Sequence, residues 1–539
     1  MAYTFKKVLD RLIWAQVAPA RSGHAAGFSM ASDLRNDSTR NPFVYTLSSN
    51  TTLDRYNIVS KGWQLVTATP LTTGTFAAGS TSAFAPSFGA VGTLSATSPT
   101  TTAFTLSTAL PTAVGLNMLA NRGGSGELGF RIRLIDTAAG KTEERWIVAN
   151  TAGTTPRIVV DAALTFTPGT TTRYELLCGR LFMLGAGTTA AGIYRSFEPA
   201  SNTLANRTTT NLPATIATDS AMLVLDEQYV PYDNKPGEGM IKGTFDTDTA
   251  GGIRMALSAT ATGASSITGQ ASAGDAAVEA NEYRNFQIRI VQDTTTPAAV
   301  GQRRIIASHT AGASPVYTLG TAWTTQPSTS AKYVIELPNL LVLRTSGVTT
   351  TYTYNFTDAT VNNGTNSIAA DAWSTTYFAA GPAANAVGNL WAPGWGIQPD
   401  AGRNARHSFQ YFFRGGAVTL DLFDIANTIT GAWTGAITYD GNVNSFGAGT
   451  TGAYSPFGQE GRYTYVNVYV ASAINQIYRF DAKNRVFSPF TPTDFVQSGT
   501  AAQGGRMAAY AAIDGTDKYD VVLLQSHLST VAQELIALV

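Results

Sequence analysis

The chain has 539 residues, with 36 Lys and Arg balanced by 36 Asp and Glu, and only 13% of it is charged, against about a quarter in an ordinary soluble domain. Formal neutrality excludes bulk attraction to nucleic acid or acidic membrane, and a single cysteine, Cys178, excludes a disulfide framework or a cysteine-cluster metal site. So neutral a surface is poorly soluble unless partners cover it, which favours assembly.

Read in chain order, residues 5–16 (FKKVLDRLIWAQ) place Phe5, Val8, Leu9, Leu12 and Ile13 on one helical stripe. This helix either packs on its own domain or docks on a neighbouring subunit. The extended arm after it completes an N-terminal segment of residues 1–45. The charges spread through the start do not make a signal peptide, and no run of 18 apolar residues marks a membrane span. Beyond residue 20, short or alternating apolar runs bounded by Gly, Asp and Asn predict an almost entirely β chain. The Thr/Ala/Gly/Ser-rich stretch 69–104 also reads as short strands, because Thr is β-branched and apolar residues recur within it.

Two segments repeat each other. Residues 131–153 (RIRLIDTAAGKTEERWIVANTAG) match 287–312 (QIRIVQDTTTPAAVGQRRIIASHTAG). Arg133 falls on Arg289, Arg145 on Arg304, Trp146 on Ile305 and Tyr174 on Tyr333. Each copy reads as a small β-sandwich or barrel-like module, over residues 72–178 and 236–336. Their long neutral faces, 72–130 and 236–285, are expected to touch neighbours. The arginines lie near Asp136, Glu143, Glu144, Glu175, Asp293 and Glu336, so salt-laced solvated faces or protein contacts are expected in preference to phosphate binding.

A second pattern surrounds the modules. Strand, small-residue turn and aromatic strand recur around Trp63, at Gly179 with Tyr194 and Phe197, and at Tyr352 and Phe356. They recur again at Gly415-Gly416 with Phe423, Asp424 and Trp433, and at Tyr478, Phe480 and Asp481. A further version, 505–524, precedes a helix-like tail. A sheet of this size cannot bury both faces alone, whereas a closed ring of about six can. The ring segments are then 46–71, 179–235 and 337–539, the last including the C-terminal tail. Unrelated β-sandwiches in tandem are the alternative.

These segments resemble the kelch family of β-propellers, although Gly-Gly pairs and tryptophans occupy only some of the family's positions. The chain as a whole, with phrases such as TLGTAWTTQPSTSAKYVI, is similar to structural proteins of tailed bacteriophages. Among these, nozzle or tail tubular proteins are β-propellers elaborated by inserted domains and assembled in rings. The resemblance implies a virion component at the tail or head–tail junction, assembled in the host cytoplasm. Its partners would be copies of itself and tail, adaptor or capsid proteins, with a channel-lining role near DNA. Capsid decoration is another role it allows.

Catalytic signatures are missing. His24, His309, His407 and His527 are dispersed, and no HExxH, GxSxG or phosphate-loop motif occurs. Asp54, Asp421, Asp424, Asp481 and Glu460 supply carboxylates for a glycosidase by count, but Asp424 and Asp481 fall at turns where a carboxylate accepts backbone N–H bonds. Asp514, Asp517 and Asp520 read as a hairpin turn and not a cation loop. The expectation is a non-enzyme without cofactor or metal. The alternative is a receptor- or glycan-binding propeller, including a depolymerase, with Trp391, Trp395 and Trp433 stacking on sugars, though WAPGW also reads as a loop plugging a gap.

Overall fold

The computed structural model describes residues 13–16, 29–32, 43–47, 53–57, 62–66, 77–121, 129–189, 192–227, 257–270, 277–394, 408–441, 443, 446–447, 450–454, 463–470, 474–489, 506–511, 521–526 and 532–537. Apart from one short 3-10 turn at Pro297–Ala299, every regular element among them is a β-strand.

Long apolar runs form the second strand of each small sheet, and those described by side chain are almost wholly buried. Phe43–Leu47, Leu340–Arg344 and Phe409–Arg414 carry apolar or aromatic residues on both faces. Sheets packed face against face around a centre require this pattern. The last strands, Gly62–Leu65 and Ala432–Ile437, are half exposed. Among the described residues, five such sheets have four strands and one has five. Their leading strands are Ser29–Ser32, Ala77–Ala85, Ala221–Leu225, Leu390–Pro393, Thr451–Tyr454 and Arg506–Ala511. Each is adjacent to the next, and the last returns to the first, giving a propeller-like ring.

Several expectations change here. Ile13–Gln16, expected to be helical, is a strand paired antiparallel with Ala532–Ala537, from Ile13 opposite Ile536 to Gln16 opposite Gln533. The C-terminal segment 532–537, expected to be helix-like, is therefore also sheet. A short isolated helix is marginal in water, whereas an open sheet edge offers a full row of bonding groups. The rest of the predicted helix, 5–12, lies outside the described residues. Ser29–Ser32 and Phe43–Leu47, expected in the arm, belong to the first ring sheet. Ala77–Ala85, expected in the first module, pairs with Arg180–Thr188 in the ring. Leu390–Pro393, read as a loop, is a leading strand.

Two barrel-like bodies are inserted in this ring. In the second, Gln287–Gln292, Lys332–Glu336, Leu257–Gly263, Ser266–Gly269, Val316–Leu319 and Arg303–His309 pair in that order. The last strand returns to the first, closing six strands. In the first, Arg131–Asp136, Thr172–Leu177, Val91–Thr93, Ala103–Thr105, Arg157–Val160 and Lys141–Asn150 follow the same circular order. There the step from Val91–Thr93 to Ala103–Thr105 is made by a bridge between Leu94 and Leu106.

Equivalent bonds recur in the two bodies. Val114 bridges Gly153 as Val278 bridges Gly312. Tyr174 donates its hydroxyl to Thr108 O and Tyr333 to Gln270 O, both at 3.1 Å. Arg145 gives Nε to Ala162 O and Nη1 to Glu144 O, while Arg304 gives Nε to Ala322 O and Nη1 to Arg303 O.

The first barrel has its own core, including Phe104, Ile132, Ile147, Tyr174 and Cys178. The core of the second, with Ile288, Tyr317 and Tyr333, is continuous with the ring residues Leu340, Trp391 and Phe423. Ile135 of the first barrel joins this second core, and Lys141 opposite Gln292 makes the two barrels one extended sheet.

Candidate functional site at the junction of barrels and ring

Of the arginines expected on solvated faces, Arg131, Arg133, Arg145 and Arg289 are buried instead, whereas Arg173, Arg303 and Arg304 stay partly exposed. Arg131, Arg133 and Arg289 are each no more than 2% exposed. They converge with four carboxylates where the two barrels meet the chain entering from the ring strand Ala221–Leu225. Arg133 donates Nε to Glu144 at 2.7 Å and Nη1 to Glu175 at 2.7 Å and Glu227 at 2.5 Å. Arg303, from the second barrel, grips Glu175 of the first with two bonds of 2.9 and 2.8 Å and also reaches Glu227 at 3.3 Å. Arg289 donates two bonds to Glu336. Gln287 bridges Glu227 and Glu336, both at 3.3 Å.

Glu227 is fixed further by Asn339, whose Oδ1 accepts from Glu227 N and whose Nδ2 donates to its carboxylate. The neighbouring Asp226 accepts two bonds from Ser87. A buried carboxylate survives only with such partners. Burial works to raise the Glu175 carboxyl, but Arg303 and Arg133 overcome it and hold it well below the usual range. Glu227 behaves likewise, burial being outweighed by Arg133, Arg303 and Arg289. Burial opposes the charge on Arg133 and Arg303, yet the facing carboxylates raise both above the ordinary value.

Beside this network a cleft of ≈ 440 Å³ opens between the first barrel, the second barrel and ring residues 357–362. Arg173, Gln302, Arg304, Asp358 and Phe88 are among the residues lining it. Arg173 donates to Asp358 across the cleft. Gln302 and Arg304 are bound to each other and to the 322–325 loop. The cleft therefore presents one neutralised charge pair, Arg173 with Asp358, and threonines beside an apolar lining that includes Phe88, Ile135, Val300 and Val361.

Most other residues singled out by sequence sit in the ring. Gly179, at φ +73°, is held where a Cβ would meet the Phe84 ring at 2.6 Å. Gly416, next to Gly415 in the turn after Phe409–Arg414, has φ +76°. Tyr194 packs edge-on against Tyr354 with centroids 5.1 Å apart, and Phe197 and Phe356 are buried nearby. Tyr352 is 6% exposed on the strand Tyr352–Asn355. Trp63 packs on Tyr56, and Phe480 on Phe487 beside buried Tyr478. Asp424 Oδ1 accepts from Ala426 N, and Asp481 Oδ1 from Lys483 N and Asn484 N. In the first barrel, Trp146 lies under the Arg131 guanidinium, 5.2 Å away. Ile305 is buried in the second.

The tryptophans offered as sugar platforms are engaged internally. Trp391 is buried, stacks among Phe412, Phe423 and Trp433, and donates Nε1 to Ala221 O. Trp433 lies 4.7 Å from Phe423 and donates to Ala379 O. Trp395, Glu460, His24, His407, His527, Asp514, Asp517 and Asp520 lie outside the described residues. Asp421 is held by Arg414 and by Ala436 N. Among the described residues no cluster of His, Cys, Asp or Glu is placed to hold a metal, and no helix is long and apolar enough to cross a membrane.

Gln287, Asn339 and Glu227 were not singled out as site residues. The available signal was the Asp226-Glu227 pair directly after the apolar strand AMLVL, where two charges end a run that must be buried.

No protein-family model matches the sequence, and no curated protein matches it. Solved structures align over long stretches at low likeness. Sqt1 of Saccharomyces cerevisiae has 9% identity, TM-score 0.28, and covers 98% of this chain and 99% of its own. A variant of the NanB sialidase of Streptococcus pneumoniae has 8% identity, TM-score 0.22, and covers 96% and 82%. A putative 6-phosphogluconolactonase of Bacteroides fragilis has 11% identity, TM-score 0.17, and covers 90% and 95%. Likenesses this weak carry no functional argument.

Proposed function

We propose that the chain is a non-enzymatic structural component of a tailed-phage virion, a tail, nozzle or head–tail junction subunit that assembles in a ring. In this reading the ring of sheets is a six-bladed kelch-like propeller closed by the N-terminal strand. The barrels are duplicated modules inserted in it. The observation that carries the structural role is the buried network joining Arg133, Glu175, Glu227 and Arg303. It fixes both barrels to the ring as rigid protrusions and commits their charges to internal cohesion. The exposed positions within 96–113 and 311–330 are mainly Thr, Ser and Ala, surface suited to close β packing at low desolvation cost. The virion assignment rests on the sequence resemblance alone. Copies of the chain and other virion proteins are the proposed partners.

One observation favours a second reading, a receptor- or glycan-binding propeller: the cleft between the barrels and the ring, with its threonines and the Arg173–Asp358 pair. Clefts of this volume, largely apolar with a few placed polar groups, accommodate small ligands.

Light scattering and electron microscopy of the purified chain, with retention on cell-surface polysaccharide, separate the two. A closed multimer that ignores polysaccharide is expected. A monomer retained by polysaccharide would overturn the structural reading in favour of the binder.

A further inference from the structure

Superposing the strand pairings of the two barrels exposes an inverted charge. In the first barrel, Arg133 lies opposite Glu144 on one side and opposite Glu175 on the other. The row across three strands reads Glu–Arg–Glu. In the second barrel the same positions are Arg303, Arg289 and Val334, with Arg289 opposite Arg303 and opposite Val334. That row reads Arg–Arg–Val. Directly opposed residues share a face, and like charges there are destabilising.

Among the described residues the second barrel supplies only Glu336 against this row, and Glu336 bonds to Arg289. Arg303 finds its carboxylates outside its own barrel, on Glu175 of the first and on Glu227 from the ring. In the first barrel the row is reversed, one arginine to two glutamates, and Arg131 at 3.9 Å from Glu144 and Arg173 at 3.6 Å from Glu175 stand beside those glutamates, so the charge left unmatched within its own barrel is Arg303 of the second. Burial makes the positive charge of the second row expensive unless it meets carboxylates from outside its barrel, and the glutamate-rich row of the first barrel supplies one at Glu175.

We propose that the two barrels are an obligate, non-interchangeable pair: Arg303 of the second is the recognition residue for Glu175 of the first, and this face rejects a like barrel. Two first barrels meeting here would oppose Glu–Arg–Glu to itself, and two second barrels would oppose arginines. Charge inversion at equivalent positions is a device for excluding wrong pairings. In an assembly of many copies it keeps this interface within each chain and leaves other faces for neighbours. The inference concerns a single chain and stands whether or not the virion reading does.

The test uses the full chain and hydrogen exchange. Arg303→Glu with Val334→Glu gives the second barrel the row of the first. Exchange in peptides spanning residues 131–145 and 287–305 is expected to rise at least ten-fold, while ring residues 409–424 stay protected. Arg303→Met, which removes the charge without inverting it, is expected to loosen the junction less. Retained protection in the double variant, or equal loosening by Arg303→Met, would overturn the proposal. A cycle of Glu175→Gln, Arg303→Met and their combination gives an independent measure, should the inverted variant fail to fold. Non-additive losses are expected because the pair acts as a unit, and additive losses would sink the recognition role.

Discussion

Asn150 of the first barrel and His309 of the second do the same work with different chemistry. Asn150 Oδ1 accepts from Leu119 N at 2.9 Å, and its Nδ2 donates to Thr151 O at 2.8 Å. His309 Nε2 accepts from Tyr283 N at 2.9 Å, and its Nδ1 meets Thr310 O at 2.9 Å. Since Nε2 accepts, Nδ1 carries the proton and the imidazole is neutral. Each side chain ties a loop entering the barrel to the strand before the Thr-Ala-Gly turn. Recurrence of a bonding role through a change of residue type argues for a shared plan more strongly than matching residues do.

If the bonds are what matter at this position, His309→Asn keeps them and loses no more than about 1 kcal/mol, whereas His309→Leu leaves the buried Tyr283 N–H unpaired. An unpaired buried donor costs about 1–3 kcal/mol. Urea unfolding midpoints should therefore rank wild type, Asn, then Leu. The reverse order of the two variants would mean that packing against Tyr283 and Tyr317 holds the loop instead.

The buried network sets an acid limit on stability. Glu175 and Glu227 are held below their ordinary range in the folded chain, so the unfolded chain binds protons first as pH falls. Their contribution is fully present above the unfolded carboxylate value of about 4.3 and is lost progressively below it. Stability from this source should be flat between pH 7 and 5 and fall steeply under about pH 4.5. Glu227→Gln should cost about 3–5 kcal/mol at pH 7, the usual effect of breaking a buried pair, and should flatten the acid slope. An unchanged slope in denaturant titrations at several pH values would place the acid sensitivity elsewhere.

The barrel duplication was readable because Arg133, Arg145 and Tyr174 recur at fixed offsets as Arg289, Arg304 and Tyr333, among residues too rare in this chain to match by composition. The ring was readable for a similar reason, its aromatic strands repeating around small-residue turns. What escaped depends on partners distant in the chain. Ile13–Gln16 is amphipathic enough for a helix, and only the edge offered by Ala532–Ala537 makes it a strand. An arginine between glutamates on a strand reads as a solvated face. Its burial follows from the position of Glu227, which comes from a ring segment outside either barrel. The Glu144 and Arg303 inversion was present in the aligned repeats, but its meaning required the cross-strand register.

Arg344 is a cation held without a carboxylate hydrogen-bond partner. Nη1 donates to Thr349 O and Thr350 O, and Nη2 to Ala383 O and Asn385 Oδ1. Its guanidinium lies 5.6 Å from the Phe412 ring centre and 5.4 Å from that of Trp433, joining two neighbouring ring sheets. Burial pulls it down to about 10. A lysine has neither the planar fork nor the stacking face. Arg344→Lys should therefore lose at least about 2 kcal/mol, given about 1.5–3 kcal/mol for each bond to a charged group. Near-native thermal stability of that variant would show the carbonyl cluster to be dispensable.

The strand pairing that joins the two ends of the chain predicts how the ring opens. The last ring sheet holds three strands from residues 506–537, and its fourth is Ile13–Gln16. Deleting residues 1–17 exposes the bonding groups of Ala532–Ala537 along their length, and an open edge of this kind frays and aggregates. The truncated chain should show a lower melting temperature and early proteolysis within 521–537, with the barrels still protected. A synthetic peptide of residues 10–19 should restore protection by adding the missing strand. Rescue by the peptide separates edge completion from a general loss of folding, because a misfolded chain has no edge to complete. Unchanged proteolysis after truncation would mean that the ring is held by its sheet faces and not by this closure.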